Sequence, residues 1–276
     1  MRLALDHLTA VDTRPAELAE IAATAGYGGI CLFLQSMAVL PRMPRFDLVA
    51  DAAARRDLRT RCRDLGLTVD LAYPFTLGGR SAPGDFQAAL DAAADLGAAC
   101  VNALLYDRDP VRRLDTFAGL CERAAEVGLK VAVEFYPPSQ VRTLRAASAL
   151  IEAASPPGTA GITLDLLHLV RSGGSVADIA DVPSDRIFIA QVCDGPAVAD
   201  PERLVAEAAE QRMLPGQGAF DVRGFLAALP ATARLSAEVP QEDCIRRGLA
   251  PLERAAAALA ATRAVLEAAR RESRPD

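Results

Sequence analysis

The sequence has no tryptophan, and aromatic residues make up 5% of it. Its core must come from aliphatic side chains, and with hydrophobic residues at 51% and alanine abundant, Ala-rich, close-packed helices are expected. Histidine is scarce: His7 and His168 are the two present, too few for a metal centre built on several imidazoles. The six cysteines form no CxxC pair, so they read as buried free thiols rather than a metal-thiolate or disulfide framework. Positive charge is also short, at 30 basic against 36 acidic residues and a net charge of −6, which argues against a nucleic-acid partner. There is no signal peptide and no apolar run of ~18 residues, so no membrane association is expected and the chain reads as cytoplasmic and reduced. No Gly/Ser- or Pro-rich linker divides it, and the expected organisation is one domain over residues 1–271 with a frayed tail at 272–276.

What is present is a regular alternation. Short apolar runs at 2–7, 28–34, 67–73, 99–105, 129–135, 161–165, 187–192 and 234–238 read as strands. Helical patterns lie between them at 15–25, 50–65, 85–96, 111–127, 141–154 and 203–212, with a last one near 250–271 that could pack against a second copy in a homo-oligomer. Strands alternating with helices imply parallel pairing through right-handed crossovers. Eight such units at this length predict an α/β fold of the closed (β/α)₈ type. Gly26, Gly66, Gly97 and Gly128 stand just past predicted helices, where left-handed caps are expected. The longer, more polar links, such as 34–46 and 193–201, follow strands, and 213–221 lies in the same strand-to-helix connection as 193–201, so one barrel face carries the elaborated loops.

On that face four runs end in oxygen-bearing residues: Glu134 in VAVEF, Asp165 in GITLDLLH, Gln191 in IFIAQVCD and Glu238 in LSAEVP. Carboxylates are rarely buried unless paired or bound to a cation. An all-oxygen set suits a hard ion, Mn²⁺ or Mg²⁺, over zinc. His168 lies three residues beyond Asp165, which brings it back over the same opening as a candidate catalytic group. His7 ends the first strand and Asp194 follows the seventh; substrate contact and a structural hydrogen bond are both open to them. The loop 212–218 is expected to close over the site, with Arg212 binding a carboxylate or phosphate.

The ordered motifs VEF, LDLLH, QVCDGP, LPGQGAFD and AEVP resemble the xylose isomerase-like barrel superfamily, in particular its sugar phosphate isomerase/epimerase group. That group includes inosose dehydratases, ketose 3-epimerases and 3-dehydroshikimate dehydratases. The resemblance implies that Glu134, Asp165, Gln191 and Glu238 are metal ligands and that His168 touches substrate. In epimerase-like members Glu134 and Glu238 would double as acid/base groups. Many epimerases of the group have His where this chain has Gln191; Gln there, and the PGQG-x-FD loop, look like the dehydroshikimate dehydratase branch. Those dehydratases carry a His soon after the first Glu, whereas residues 135–142 contain none, leaving Arg142 as a candidate substrate contact.

The function expected first is therefore a divalent-metal isomerase or epimerase of a keto-sugar or related polyhydroxy carbonyl compound, working through a metal-stabilised enediolate. The alternative is a lyase or dehydratase using the same chemistry to expel a β-hydroxyl. Abasic-site endonuclease activity, also found in the superfamily, is disfavoured by the acidic charge and scarce histidine.

Overall fold

A computed structural model describes residues 2–154 and 158–272. The strands are β1 (Leu3–Asp6), β2 (Gly29–Phe33), β3 (Thr68–Leu77), β4 (Cys100–Leu105), β5 (Lys130–Glu134), β6 (Ala160–Asp165), β7 (Ile187–Val192) and β8 (Arg234–Ala237). Each pairs in parallel with the next, and β8 returns to β1, closing the barrel. The helices are α1 (Pro15–Ala25), α2 (Ala52–Asp64), α3 (Gln87–Asp95), α4 (Pro110–Glu126), α5 (Leu144–Ala154), α6 (Leu166–Arg171), α7 (Leu204–Glu210), α8 (Val222–Ala228), α9 (Glu242–Arg246) and α10 (Pro251–Glu272). Of the expected tail, Glu272 closes α10 and residues 273–276 lie outside the described residues.

The expected strands recur within a residue or two, except that β3 runs on to Leu77. The expected strand stops at residue 73, yet Phe75, Thr76 and Leu77 pair with Ala103, Leu104 and Leu105 after a register shift. Gly26 ends α1 at φ 94°, a left-handed conformation that costs a Cβ-bearing residue free energy, and its N–H reaches Ala22 O and Ala23 O. Five of the six cysteines are buried, and no disulfide forms among the described residues. Among the described residues no helix is long and apolar enough to cross a membrane.

Two apolar layers follow from the period of two along each strand. Leu3 and Leu5 join the large layer between barrel and helices. Ala4, Cys31, Cys100, Ala132 and Ile189 face inward and form a second, smaller core inside the barrel. Two residues further along the same inward rows stand Asp6 after Ala4, Asn102 after Cys100, Glu134 after Ala132 and Gln191 after Ile189. Asp165 follows Thr163, and Glu238 follows Ser236, at the same step. The polar residues therefore form the top layer of the interior, at the C-terminal mouth.

Candidate active site at the barrel mouth

Glu134, Asp165, Gln191 and Glu238 are all under 9% exposed, and Asp165 is fully buried. Asp165 also caps α6: its Oδ1 accepts from His168 N at 3.0 Å. That cap fixes the first helical turn and carries the His168 ring back across the mouth, with Nε2 3.4 Å from Glu134 Oε1 and 4.0 Å from Asp165 Oδ2. Tyr136 packs on the ring at a centroid distance of 4.8 Å. Ligand-capable atoms of Glu134, Asp165 and His168 lie within 4.8 Å of one another, close enough to share an ion.

Arg212 enters the same cluster from the side. Met213 bridges to Asp194 and Gln211 bridges to Gln241, so the segment between them is pinned on both flanks. Its guanidinium donates to Asp165 Oδ2 at 2.6 Å and to Glu238 Oε1 at 3.1 Å, and its Nε donates to Ala208 O at 2.9 Å. The expectation of an arginine reaching from a closing loop toward a substrate anion differs from this arrangement. The side chain is 1% exposed and its donors are engaged by the site's own acids. Burial works against the charge of Arg212, but Asp165 and Glu238 overcome it and raise its pKa well above the usual value.

The acids divide under these forces. Burial pushes the Asp165 carboxyl up, but Arg212 and His168 outweigh it and leave it below the ordinary carboxylate range. Glu238 goes well above that range: burial dominates, Arg212 opposes it, and the neighbouring charges of Asp6, Asp165 and Glu134 push it further. Asp6, singled out by no motif, is fully buried at the end of β1 and pushed up to about 6 by burial, which its hydrogen bonds and Arg212 only partly offset. It accepts from Tyr73 Oη at 2.6 Å and from Gln191 Nε2 at 3.4 Å. Asn102, also missed, donates Nδ2 to Glu134 Oε2 at 2.6 Å. The available signal was a charged or amide residue on an inward position of an otherwise apolar strand.

Among the described residues, the buried amide oxygen Gln191 Oε1 and carboxylate oxygen Glu238 Oε2 have no donor, and the Ser236 hydroxyl, two residues before Glu238, is also without a partner. Leaving a buried acceptor unmatched costs about 1–3 kcal/mol. Gln191 and Glu238 belong to the set read from the sequence as metal ligands, and the acids around them repel one another. Unmatched oxygens in a crowd of carboxylates are what a divalent cation would satisfy, so these residues fit one.

Other expected contacts fall elsewhere. His7 begins a short 3₁₀ turn, and its buried ring lies against Phe46 and Phe33. Its Nε2 meets Thr13 O at 3.0 Å and its Nδ1 accepts from Phe33 N at 3.3 Å, so both ring nitrogens serve the backbone. Burial pushes its pKa down to about 4. Arg142 is exposed, with Nε on Ser139 O at 3.1 Å. Asp194 anchors the 213–221 loop: Oδ1 accepts from Gly195 N and Phe220 N, and Oδ2 from Gly216 N and Gly218 N, at 2.8–3.0 Å. Arg171 braces that loop, ion-paired to Glu207 at 2.6 Å and lying 4.9 Å over the Phe220 ring.

A closed parallel barrel with acids, an amide and a histidine at its C-terminal mouth defines the class, and the chain belongs to the xylose isomerase-like TIM barrel family, whose model matches residues 19–265. It is 32% identical over 233 residues to a 3-dehydroshikimate dehydratase of Pseudomonas aeruginosa, an alignment covering 80% of this chain and 34% of that protein. The chain thus spans about a third of the length of the curated relative it matches. Among solved structures, a xylose isomerase-like TIM barrel/4-hydroxyphenylpyruvate dioxygenase fusion protein is 26% identical, with a TM-score of 0.76 over all of this chain and 45% of that one. The IolI protein with a bound zinc atom shares the fold at 20% identity, with a TM-score of 0.77 over 97% of this chain and 99% of that one.

Proposed function

We propose that this barrel is a divalent-metal lyase that removes water from a cyclic β-hydroxy carbonyl acid of the 3-dehydroshikimate type. The isomerase/epimerase reading that the sequence puts first gives way to its alternative. The observation that carries this reading is Gln191: a buried amide whose Oε1 lacks a donor, at the ligand position where an epimerase of the group would carry His. The 32% identity to a protein named 3-dehydroshikimate dehydratase supports the same class.

Glu134, Asp165, Gln191 and Glu238 would hold the cation, which when bound polarises a carbonyl and acidifies the adjacent C–H as a Lewis acid. His168 Nε2 is the candidate group to take that proton, because Glu134 and Asp165 stand beside it to stabilise the resulting imidazolium. The same proton can then be returned to the departing β-hydroxyl. One C–H and one C–O bond break, a C=C bond forms, water leaves, and no oxidant is needed. Arg212 holds Asp165 and Glu238 in place rather than binding the substrate's anion. Tyr136, packed on His168, forms part of the wall beside the reacting carbon.

The test is to incubate Mn²⁺-loaded protein with 3-dehydroshikimate and, separately, with a panel of ketohexoses in D₂O, reading products by NMR. Water loss from the first and no C–H exchange in the second is the expected pattern. Epimerised or deuterated ketose with unchanged dehydroshikimate would restore the epimerase reading.

A further inference from the structure

Asn102 is a polar residue on the inward row of β4, 4% exposed, and both ends of its amide are engaged. Nδ2 donates to Glu134 Oε2 at 2.6 Å, and Oδ1 accepts from the Thr163 hydroxyl at 2.6 Å. Glu134 and Thr163 stand opposite one another in the β5–β6 register, so one amide from the preceding strand spans both. Its orientation is forced. An ionised carboxylate only accepts, so the NH₂ end must face Glu134, and the carbonyl end must then receive the Thr163 proton. A flipped amide would set two acceptors 2.6 Å apart.

The consequence falls on Glu134. Its Oε2 is taken by Asn102, and its other oxygen, Oε1, lies 3.4 Å from His168 Nε2. Isolated buried polar groups weaken a core, whereas a fully satisfied chain of them holds one geometry. We propose that Thr163 and Asn102 form a positioning relay that commits Glu134 to offering Oε1 alone to a divalent cation, and thereby sets the cation affinity of the site. This rests on the reading of Glu134 as a ligand. Asn102 and Thr163 are positioning residues that act through Glu134.

The experiment is calorimetric titration of the whole chain with Mn²⁺ alone, for wild type, Asn102→Leu, Thr163→Val and Thr163→Ser, with a thermal melt of each metal-free protein. Loss of a partner that orients a metal ligand typically weakens affinity by roughly 10- to 100-fold, which is expected for Asn102→Leu. Thr163→Val keeps the shape and removes the hydroxyl, and should weaken binding in the same direction. Thr163→Ser restores the hydroxyl and should restore affinity to about that of wild type. A merely structural role would move the melting temperatures and leave the affinities alone. Wild-type affinity in both Asn102→Leu and Thr163→Val would overturn the relay while leaving Glu134 as a ligand. Absence of Mn²⁺ binding to wild type would overturn the ligand reading and the relay with it.

Discussion

Arg212 Nη1 donates to Asp165 Oδ2 at 2.6 Å in a site where both side chains are at most 1% exposed. Its Nη2 reaches Glu238, so one guanidinium opposes the burial that pushes both acids toward protonation; with His168 it prevails at Asp165, while Glu238, repelled by the neighbouring acids as well, stays raised. Removing one partner of a buried ion pair typically costs about 3–5 kcal/mol, because the other charge is left uncompensated. Arg212→Met is therefore expected to lower the melting temperature by roughly 10 °C in chelator. Mn²⁺ should raise the melting temperature of the variant by more than it raises that of wild type, since a cation supplies the missing positive charge. A variant that melts with wild type in chelator would contradict this role.

His7 should stay neutral far below the usual histidine range. Its folded-state pKa of about 4 lies below the ordinary value near 6.5. Its contribution to stability is therefore present above pH ~6.5 and is lost as pH falls toward 4, amounting to about 3 kcal/mol over that window. Asp6 runs the other way. Its carboxyl is raised to about 6, so its contribution is present at low pH and lost as pH rises through that value. The two partly cancel in a bulk melt, so NMR of the imidazole resonances is the direct reading. With two histidines in the chain the assignment is simple. A His7 midpoint near 6.5 would contradict its buried pairing with Thr13 and Phe33.

Gly218 should not tolerate a side chain. A Cβ there would collide with Asp194 Oδ1 and with the Gly195 carbonyl oxygen, which is backbone and cannot swing aside. Gly218→Ala should cost about 1–3 kcal/mol and open the 213–221 loop to protease. Gly66, where a Cβ would meet nothing within 4 Å, has a positive φ of 69°, so Gly66→Ala should lower the melting temperature through backbone strain with no change in loop cleavage. Limited proteolysis beside a thermal melt separates the two; equal cleavage of both variants would remove Asp194 as the anchor of the loop.

The barrel was legible because its strands are short apolar runs and its helices end in glycine, and both are local signals. Glu134, Asp165, Gln191 and Glu238 were legible for a related reason: a polar residue closing an apolar strand stands out. Asp6 closes β1 in the same way, but His7 beside it drew the functional reading. Only the folded structure shows that the aspartate meets Gln191 and Tyr73 while both imidazole nitrogens serve the backbone. Asn102 is hidden by its amide, which looks like an ordinary interruption of CVNALL until Glu134 and Thr163 are brought to either side. Arg212 was hidden for a different reason. Its place inside the cluster depends on the Asp194–Met213 and Gln211–Gln241 bridges, contacts between distant segments that no local pattern announces. For Asp194 the sequence leaves substrate contact and a structural hydrogen bond both open, and it takes the folded loop to show that its carboxylate gathers four backbone N–H groups.

The most direct test of the central claim is the rate at which 3-dehydroshikimate is converted to its aromatic dehydration product, followed by ultraviolet absorbance with Mn²⁺ and with chelator, for wild type and Glu238→Gln. Steady product formation by the Mn²⁺-loaded wild type is expected. The rate should fall at least about 100-fold in chelator or in the variant, the scale that follows removal of a group acting in the transition state. Equal rates with and without metal, or no product from protein shown to carry Mn²⁺, would contradict that claim.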